Sequence, residues 1–445
     1  MEEEIRCKKW MPGGGVYRCE QAASALCGCE SSVELPSVLS ILSGEQKDER
    51  DRAIEEMRKS IRKDRAALVL GAGISKRAGM PAWSGLISKM MGYAIQYDQL
   101  IGKRAGVIKS GEDEKKRLLE LTDMLISGKL SLLGKVNTLE SAQYVAQLFG
   151  TSAVDSEKLS IGAMVRRIVD QSIPPRELLL DKRTGLLDDI QKIDGYESMS
   201  AAQLVEKLGG ERVAQSESMF AVSRLLSEKK GIRRAITYNY DPLVQEYMTE
   251  LYQGTDVLTH PCALGKGKPR ANTREIYHVH GFVPGERHLG KGNERAFPGE
   301  SGSIILSENS YYRMEQTEAY DWPSSIQSYF LNQYQCIFVG FSAEDYNFRR
   351  ILRQIGAGDP EKPHYLILSV RRWISDTYEE VCRARLRQSG GSLGEDDLKN
   401  ISRDAILLLR YVLACRAVYW RKRSIYPIWV TTKEIPQLLT ALLPA

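Results

Sequence analysis

The chain is organised around residues 66–83, where a short apolar run leads into a glycine turn. Ala66–Leu70 contains only uncharged apolar residues, a pattern that predicts a strand buried on both faces. Gly71 and Gly73 follow in a turn, where neither residue has a Cβ atom. Helical spacing of apolar residues begins at Trp83. A buried strand, a bare turn and a helix in this order predict the first βα unit of an α/β sheet.

The glycine turn has two interpretations. Backbone N–H groups at the end of a buried strand can hold phosphate oxygens, but a Gly-x-Gly turn can equally be a tight connection that binds nothing. Its spacing departs from the dinucleotide fingerprint of dehydrogenases, because Lys76 stands where the third glycine belongs and no acidic residue follows before Asp98. The sequence therefore argues against hydride transfer.

Further apolar runs predict the other strands of the sheet. They are Ile232–Thr237, Glu275–His280, Ser303–Ser307, Gln335–Phe341, His364–Ser369 and Ile425–Val430. Helical patterns separate most of these runs, which is typical of a parallel sheet. We therefore expect an α/β fold with a parallel, Rossmann-like sheet flanked by helices.

The segment between the first predicted helix, Trp83–Tyr97, and the next strand has helical stripes and almost no strand pattern. It is far longer than a crossover needs, so residues 98–230 are expected to form a large helical insertion after the first βα unit. The sheet domain is expected to comprise residues 44–97 and 231–445. Residues 1–43 are expected to be a partly disordered N-terminal segment.

Composition limits location and partners. A net charge of +5 over 445 residues gives no reason to expect direct nucleic-acid binding. The most apolar segment, Ala405–Leu413, is interrupted by Arg410 and is too short to cross a bilayer. The acidic start, Met1–Glu4, does not resemble a secretory signal, and the cysteines in apolar contexts are typical of reduced thiols. We expect a cytoplasmic protein without membrane contact.

Polar residues follow three predicted strands at the point where each strand ends. The segments are Tyr238-Asn239-Tyr240-Asp241, His278-Val279-His280-Gly281, and Val339-Gly340-Phe341-Ser342 with Asp345 shortly after it. The carboxyl ends of parallel strands meet at one edge of a sheet, where ligands bind. We therefore expect these segments to form one site.

Some of these residues also have a plausible structural role. Asp241 can serve the site or cap a turn, and Asp345 can cap a helix over Tyr346–Ile355. His278 shares a strand face with His280 by alternation but lies deeper in the sheet. It is expected to be a packed residue, so that its change to alanine should leave the activity of the site in place.

Four motifs occur in a fixed order: Gly71-Ala72-Gly73-Ile74-Ser75, Tyr238-Asn239-Tyr240-Asp241, His280-Gly281 and Gly340-Phe341-Ser342. In this order they resemble the sirtuin (silent information regulator) superfamily. More closely, the chain resembles the SIR2-like domains of bacterial anti-phage defence proteins, over roughly residues 61–375. The resemblance implies that NAD lies across the strand ends.

The resemblance also implies roles for the motif residues. Asn239 would hold the nicotinamide ribose and position the attacking group, and His280 would act as the general base. The loop from Gly71 to Ser75 would cradle the pyrophosphate. The residues expected to bind NAD are Gly71, Ala72, Gly73, Ser75, Trp83, Asp241, Gly340, Ser342 and Asp345, with Gly340 and Ser342 contacting the adenosine half.

Two departures separate the chain from protein-deacylating sirtuins. Those enzymes bind a structural zinc with two Cys-x-x-Cys pairs, whereas this chain has no Cys-x-x-Cys and only Cys336 between His280 and Gly340. They also place an acidic and a basic residue around an aromatic where this chain has Met80-Pro81-Ala82-Trp83. No zinc is therefore expected, and a dinucleotide is favoured over a peptide substrate.

With NAD as the ligand that the resemblance implies, the residue types of the site suit a particular chemistry. Breaking the ribose–nicotinamide bond leaves an oxocarbenium-like ribose, which needs carbonyl dipoles rather than a strong nucleophile. An asparagine carbonyl can orient a water, and a histidine side chain suits proton removal near neutrality. The sequence thus favours an NAD hydrolase that releases nicotinamide and ADP-ribose. An NAD-dependent protein deacylase and a catalytically silent NAD- or ADP-ribose-binding module are the alternatives.

Partners and control are implied by the resemblance and by the position of the insertion. The resemblance implies an effector of abortive anti-phage defence that forms a homo-oligomer and responds to a phage trigger or a second defence protein. Residues 98–230 leave the sheet early and return immediately before the strand that precedes Asn239. They are expected to cover the nicotinamide end of the cleft as a lid, or to be an ordinary helical subdomain used for self-association.

Overall fold

The fold is described from a computed structural model. It describes residues 10–13, 16–19, 33–34, 38–78, 80–81, 83–101, 112–127, 142–143, 145, 161–172, 217–252, 254–261, 268–288, 293–299, 304–306, 322–341, 349, 352, 362–388, 395–431 and 434–443.

A small antiparallel sheet precedes the main one. Its strands are β1 (Trp10–Gly13), β2 (Val16–Cys19) and β3 (Val33–Glu34), paired in that order. They lie in the segment that was expected to be partly disordered, and they were not predicted from the sequence. Their short, cysteine- and glycine-containing sequences lack the alternating apolar pattern by which a strand is predicted.

The central sheet has seven strands, all parallel. They are β4 (Ala66–Leu70), β5 (Arg234–Thr237), β6 (Val257–Pro261), β7 (Arg274–His278), β8 (Gln335–Val339), β9 (His364–Ser369) and β10 (Ile425–Val430). Their spatial order is β10-β9-β8-β4-β5-β7-β6. The predicted α/β fold with a parallel, Rossmann-like sheet is confirmed.

Helices cover both faces of this sheet. They are α1 (Val38–Ile41), α2 (Gly44–Arg62), α3 (Ala72–Arg77), α4 (Trp83–Ile101), α5 (Glu112–Ile126), α6 (Ile161–Ser172), α7 (Glu217–Ser227), α8 (Leu243–Leu251), α9 (Trp322–Gln333), α10 (Arg371–Gln388), α11 (Glu395–Arg421) and α12 (Glu434–Ala441). A 3₁₀ turn spans Glu286–His288. None of the helices in the described ranges is long and apolar enough to cross a membrane.

Alternation along the strands divides the core into two layers. In β4, Ala66, Leu68 and Leu70 face one layer, which also contains side chains from α2, α3, α4, α6, α7, α8 and α12. Ala67 and Val69 face the other layer, which is built with α1, α9, α10 and α11. Because successive strand residues point to opposite faces, a strand with helices on both sides must be apolar throughout. This accounts for the uninterrupted apolar run of Ala66–Leu70.

One predicted strand is wrong and one strand was missed. Of Ser303–Ser307, the structure describes residues 304–306, which do not lie in a strand. The N–H of Ile305 donates to the backbone oxygen of His280, beyond the end of β7, at 2.9 Å. The missed strand is β6, an edge strand whose sequence Val-Leu-Thr-His-Pro has too many polar residues for an apolar run.

Candidate functional site

The register of the sheet brings the predicted motifs to one edge. Leu70 pairs with both Thr237 and Val339, and Thr237 pairs with His278. The segments that follow β4, β5, β7 and β8 therefore leave the sheet at one level. Asn239 and His280 each lie two residues beyond a paired position, on neighbouring strands. The predicted catalytic residues are thus placed side by side along the carboxyl edge.

The order of the strands marks where a ligand is expected along this edge. From β4 the chain proceeds to β5, β6 and β7 on one side, and then returns to build β8, β9 and β10 on the other side. The topological switch point therefore lies between β4 and β8. Ligands of open parallel sheets bind in the crevice at such a point. The two glycine-containing turns, after Leu70 and after Val339, are located there.

These two turns are in direct backbone contact. The N–H of Gly73 donates to the oxygen of Gly340 at 2.8 Å, and the N–H of Gly71 donates to the oxygen of Val339 at 3.1 Å. A Cβ atom on Gly71 would lie 2.5 Å from the Gly340 oxygen. Gly340 itself has a φ of +63°, and its Cβ would lie 2.6 Å from the nitrogen of Ile74. The glycines are required by this contact, and two N–H groups expected to face phosphate are used within the protein.

A buried hydrogen-bond network joins the first motif to the second. The amide nitrogen Nδ2 of Asn239 donates to the backbone oxygen of Gly71 at 3.2 Å and to Oγ of Ser75 at 2.8 Å. Ser75 Oγ in turn donates to Oδ1 of Asp241 at 3.1 Å, and this oxygen also accepts from the N–H of Leu243 at 3.2 Å. Asp241 therefore accepts from a backbone N–H in the first turn of α8, and it shares the hydrogen-bond network of Asn239; its role in binding a ligand stays a prediction.

The network determines which atom of the Asn239 side chain faces a ligand. The Gly71 oxygen can only accept a hydrogen bond, so the amide nitrogen must point towards it. Both amide hydrogens are then used, and the carbonyl oxygen Oδ1 is the part of the side chain left for a ligand or a water. The side chain is nearly buried, with 7% of the residue exposed, which limits its motion. A fixed carbonyl dipole at this position suits the stabilisation of positive charge.

A second buried chain of hydrogen bonds holds the backbone of Asn239. The amide Nε2 of Gln245 lies 3.1 Å from Oγ1 of Thr259 and 2.6 Å from Nε2 of His278. Because an amide nitrogen only donates, His278 Nε2 accepts, and its proton is on Nδ1. Nδ1–H therefore donates to the backbone oxygen of Asn239, 2.8 Å away. Burial lowers the pKa of His278 to about 3, which keeps this imidazole neutral.

His280 packs against an aromatic residue of the neighbouring Tyr238–Asp241 segment. Its ring meets that of Tyr238 edge to face, with centroids 4.8 Å apart, and Tyr238 packs in turn on Phe341 at 4.9 Å. The residue is 4% exposed. Trp83 stacks at 6.3 Å on Tyr240, whose hydroxyl donates to the backbone oxygen of Ile305 at 2.5 Å. Aromatic packing thus links the ends of β5, β7 and β8 to the start of α4.

Burial also alters the acidity of the site. It raises the pKa of Asp241 to about 6, against the opposing hydrogen bonds from Ser75 and from the backbone N–H of Leu243. The carboxylate is 4% exposed. An acid held this way is ionised at neutral pH at a cost in stability, a feature often found at functional sites.

Most residues predicted for the site are found at this edge. Gly71, Ser75, Asn239 and Asp241 belong to one hydrogen-bond network, Ala72 begins α3 within the same turn, and Gly73 contacts Gly340. Ser342 and Asp345 lie outside the described residues.

Two residues of the site region, Gln245 and Thr259, were not identified from sequence. The start of α8 reads Leu-Val-Gln-Glu-Tyr, where Gln245 stands beside the charged Glu246, so the sequence contains no signal that singles out this glutamine.

No group of three side chains suited to hold a metal ion is found within the described ranges.

No curated protein matches the chain. Residues 233–390 match the family model described as the SIR2-like domain, whose members are NAD-dependent enzymes. The matched range contains Asn239, His280 and Gly340 and lies beyond the Gly71 turn. This match supports placing the chain in the SIR2-like superfamily.

Proposed function

We propose that the chain is an NAD hydrolase that cleaves NAD to nicotinamide and ADP-ribose. The observation that carries the proposal is the placement of Asn239 and His280. They lie two residues beyond paired positions of neighbouring strands, and Asn239 Oδ1 is directed by a network that uses both amide hydrogens. The SIR2-like match supports NAD as the ligand class.

In the proposed reaction the bond between the ribose C1′ and the nicotinamide nitrogen breaks, and its electron pair leaves with neutral nicotinamide. The ribose carbon then carries positive character, which the carbonyl dipole of Asn239 stabilises. A water oriented by the same oxygen attacks C1′, and His280 accepts the proton that this water loses. The products are nicotinamide, ADP-ribose and one proton. Neither side chain forms a covalent bond to the ribose.

A second candidate is an NAD- or ADP-ribose-binding module without turnover, and the contact between the two glycine turns bears on how either candidate would hold the dinucleotide. The N–H groups of Gly71 and Gly73 already donate to carbonyl oxygens of the turn after β8. A pyrophosphate must then be held by other groups of the loop or must displace this contact. Binding without turnover would place the chain in this class.

Product analysis distinguishes the candidates. The full chain is incubated with NAD, with and without an acetyl-lysine peptide, and nicotinamide and ADP-ribose are quantified by chromatography. A hydrolase forms both in equal amounts whether or not peptide is present. A deacylase forms nicotinamide only with peptide and yields acetylated ADP-ribose. A silent module binds NAD in calorimetry and forms neither product.

We propose further that this activity serves anti-phage defence in the cytoplasm, through NAD depletion after a phage trigger or a second defence protein is sensed. The support is the sequence resemblance to defence-associated SIR2-like domains. Infecting cells that express the chain, while measuring cellular NAD, tests this part separately. We expect cellular NAD to fall after infection of cells that express the intact chain, and to stay unchanged in cells that express His280→Ala.

A further inference from the structure

One face of α11 is apolar and exposed over the second half of the helix. Its large side chains, here called the α11 face, are Leu407, Leu408, Tyr411, Val412, Val418 and Tyr419, which are between 39% and 71% exposed. Cys415 is exposed among them. Contiguous apolar patches of this kind are uncommon on monomeric proteins and mark interaction surfaces.

The α11 face is not needed to attach the helix to its own domain. A separate stripe on the opposite side is buried in the core, formed by Ile401, Ala405, Leu409, Leu413, Ala417 and Trp420. The two arginines within this stretch also point away from the face. Arg410 Nε donates to the backbone oxygen of Ile41 at 2.6 Å, and the Arg416 guanidinium lies 3.9 Å from the Trp373 ring centroid.

The spacing of the α11 face is that of a helix-pairing seam. Leu407, Tyr411, Ala414 and Val418 are separated by four, three and four residues, which is the heptad spacing of two packed helices. Ala414 is small, and small residues at a seam allow close approach of two backbones. The exposed positions between Asp404 and Arg421 contain no charged residue. A second helix of matching character can therefore cover the whole stretch.

The charges at the two ends of α11 select the direction of pairing. The helix begins with Glu395-Asp396-Asp397 and ends at Arg421, which is followed by Lys422 and Arg423. Two copies paired in parallel would place like charges together. An antiparallel pair places the acidic start of each copy near the basic end of the other, which is the arrangement produced by a two-fold axis. The face is then complementary to itself in both apolar pattern and charge.

We propose that the α11 face pairs with the same face of a second copy of this chain, antiparallel, about a two-fold axis near Tyr411. This proposal is independent of the proposed enzymatic function. The seam positions Leu407, Tyr411, Ala414 and Val418 are symmetric about a point between Tyr411 and Ala414, so the two copies of Tyr411 flank the axis and lie close to each other.

The test uses this self-contact. The full chain is compared with Tyr411→Glu and Tyr411→Lys by sedimentation velocity, and circular dichroism verifies that each variant is folded. Wild type sediments as a dimer or a multiple of it. Each variant alone dissociates at least tenfold more readily, since two like charges meet at the axis. An equal mixture of the two variants recovers the dimer, since Glu then meets Lys.

Tyr329→Glu is the matched control, because Tyr329 on α9 is also a half-exposed tyrosine and lies outside the α11 face. It is expected to sediment as wild type. Three outcomes overturn the proposal: a monomeric wild-type chain, variants that assemble as tightly as wild type, or a mixture that stays monomeric. The last result would leave the face to a different protein or to another part of the same chain.

Discussion

At the scale of single residues, the site depends on buried polar side chains that have specified partners. His278 was expected to be a packed histidine whose loss is tolerated, and it is indeed buried in the sheet, with 1% exposed. Its Nδ1–H, however, donates to the backbone oxygen of Asn239, so it positions a residue of the proposed site. Strand alternation predicted its depth. This partner could not be predicted, because Gln245 reaches His278 from α8 and is itself held by Thr259 of β6.

His278→Ala is therefore expected to lower both stability and turnover. The change leaves the Asn239 oxygen and the Gln245 amide without their partner and creates a cavity, at a cost of about 2–4 kcal/mol. Urea unfolding measures the loss of stability, and nicotinamide release is measured where the variant remains folded. His364→Ala is the matched control, because His364 is also buried and bonded but starts β9, at the opposite edge of the sheet. It should lose stability and retain turnover; equal turnover in both variants would remove the positioning role.

Asp241→Asn is expected to make stability less dependent on pH. The folded-state pKa of Asp241 is raised to about 6, so between pH 4 and pH 6 the unfolded chain ionises while the folded chain stays protonated. Folding thus loses free energy as pH rises, by on the order of 3 kcal/mol once pH exceeds 6. Asparagine cannot ionise, so the stability of the variant relative to wild type should increase between about pH 4 and pH 7. A difference that stays constant across this range would contradict the raised pKa.

At the scale of elements, the site is held by the contact between the turns after β4 and β8. The sequence identified both turns by their glycines and the strands before them by their apolar runs. Gly71 and Gly73 were expected to bind phosphate or to form a tight turn, and Gly340 was expected to contact the adenosine half. The structure adds a further reason for these glycines, the close approach of two backbones. This contact exists only in the folded chain, since the two turns are separated by more than 250 residues of sequence. The same limit explains why β6 was missed: its polar residues are buried because Gln245, Glu275 and the oxygen of Ala296 bind them.

Gly340→Ala is expected to destabilise the chain and to displace the Gly71 turn. The added methyl would lie 2.6 Å from the nitrogen of Ile74, and the residue would be forced into a left-handed conformation. Gly254→Ala is the control, because Gly254 has a φ of +87° and nothing within 4 Å of the added methyl. The control should cost only the conformational term, about 1–2 kcal/mol, and Gly340→Ala should cost clearly more. Equal unfolding free energies for the two variants would show that the turns tolerate separation.

At the scale of the whole molecule, the expected lid function of residues 98–230 stays a prediction. One described contact connects the insertion to the site edge: Oδ1 of Asp170 in α6 accepts from the N–H of Glu286, in the turn that follows the His280 segment, at 2.9 Å. Hydrogen exchange with and without a non-hydrolysable NAD analogue tests the lid. Slower exchange within Ile161–Ser172 when the analogue is bound is expected for a lid. Slowing confined to the Gly71, Asn239, His280 and Gly340 segments would leave the insertion as a helical subdomain.

We propose that this edge of the sheet cleaves NAD through Asn239 and His280. The most direct measurement is the rate of nicotinamide release by the full chain and by His280→Ala under the same conditions, with the melting temperature of each recorded. Loss of a general base lowers a rate by about 10²–10⁴-fold, so we expect at least a hundredfold loss in a variant that stays folded. A folded His280→Ala chain that releases nicotinamide within a few-fold of the wild-type rate would contradict the account.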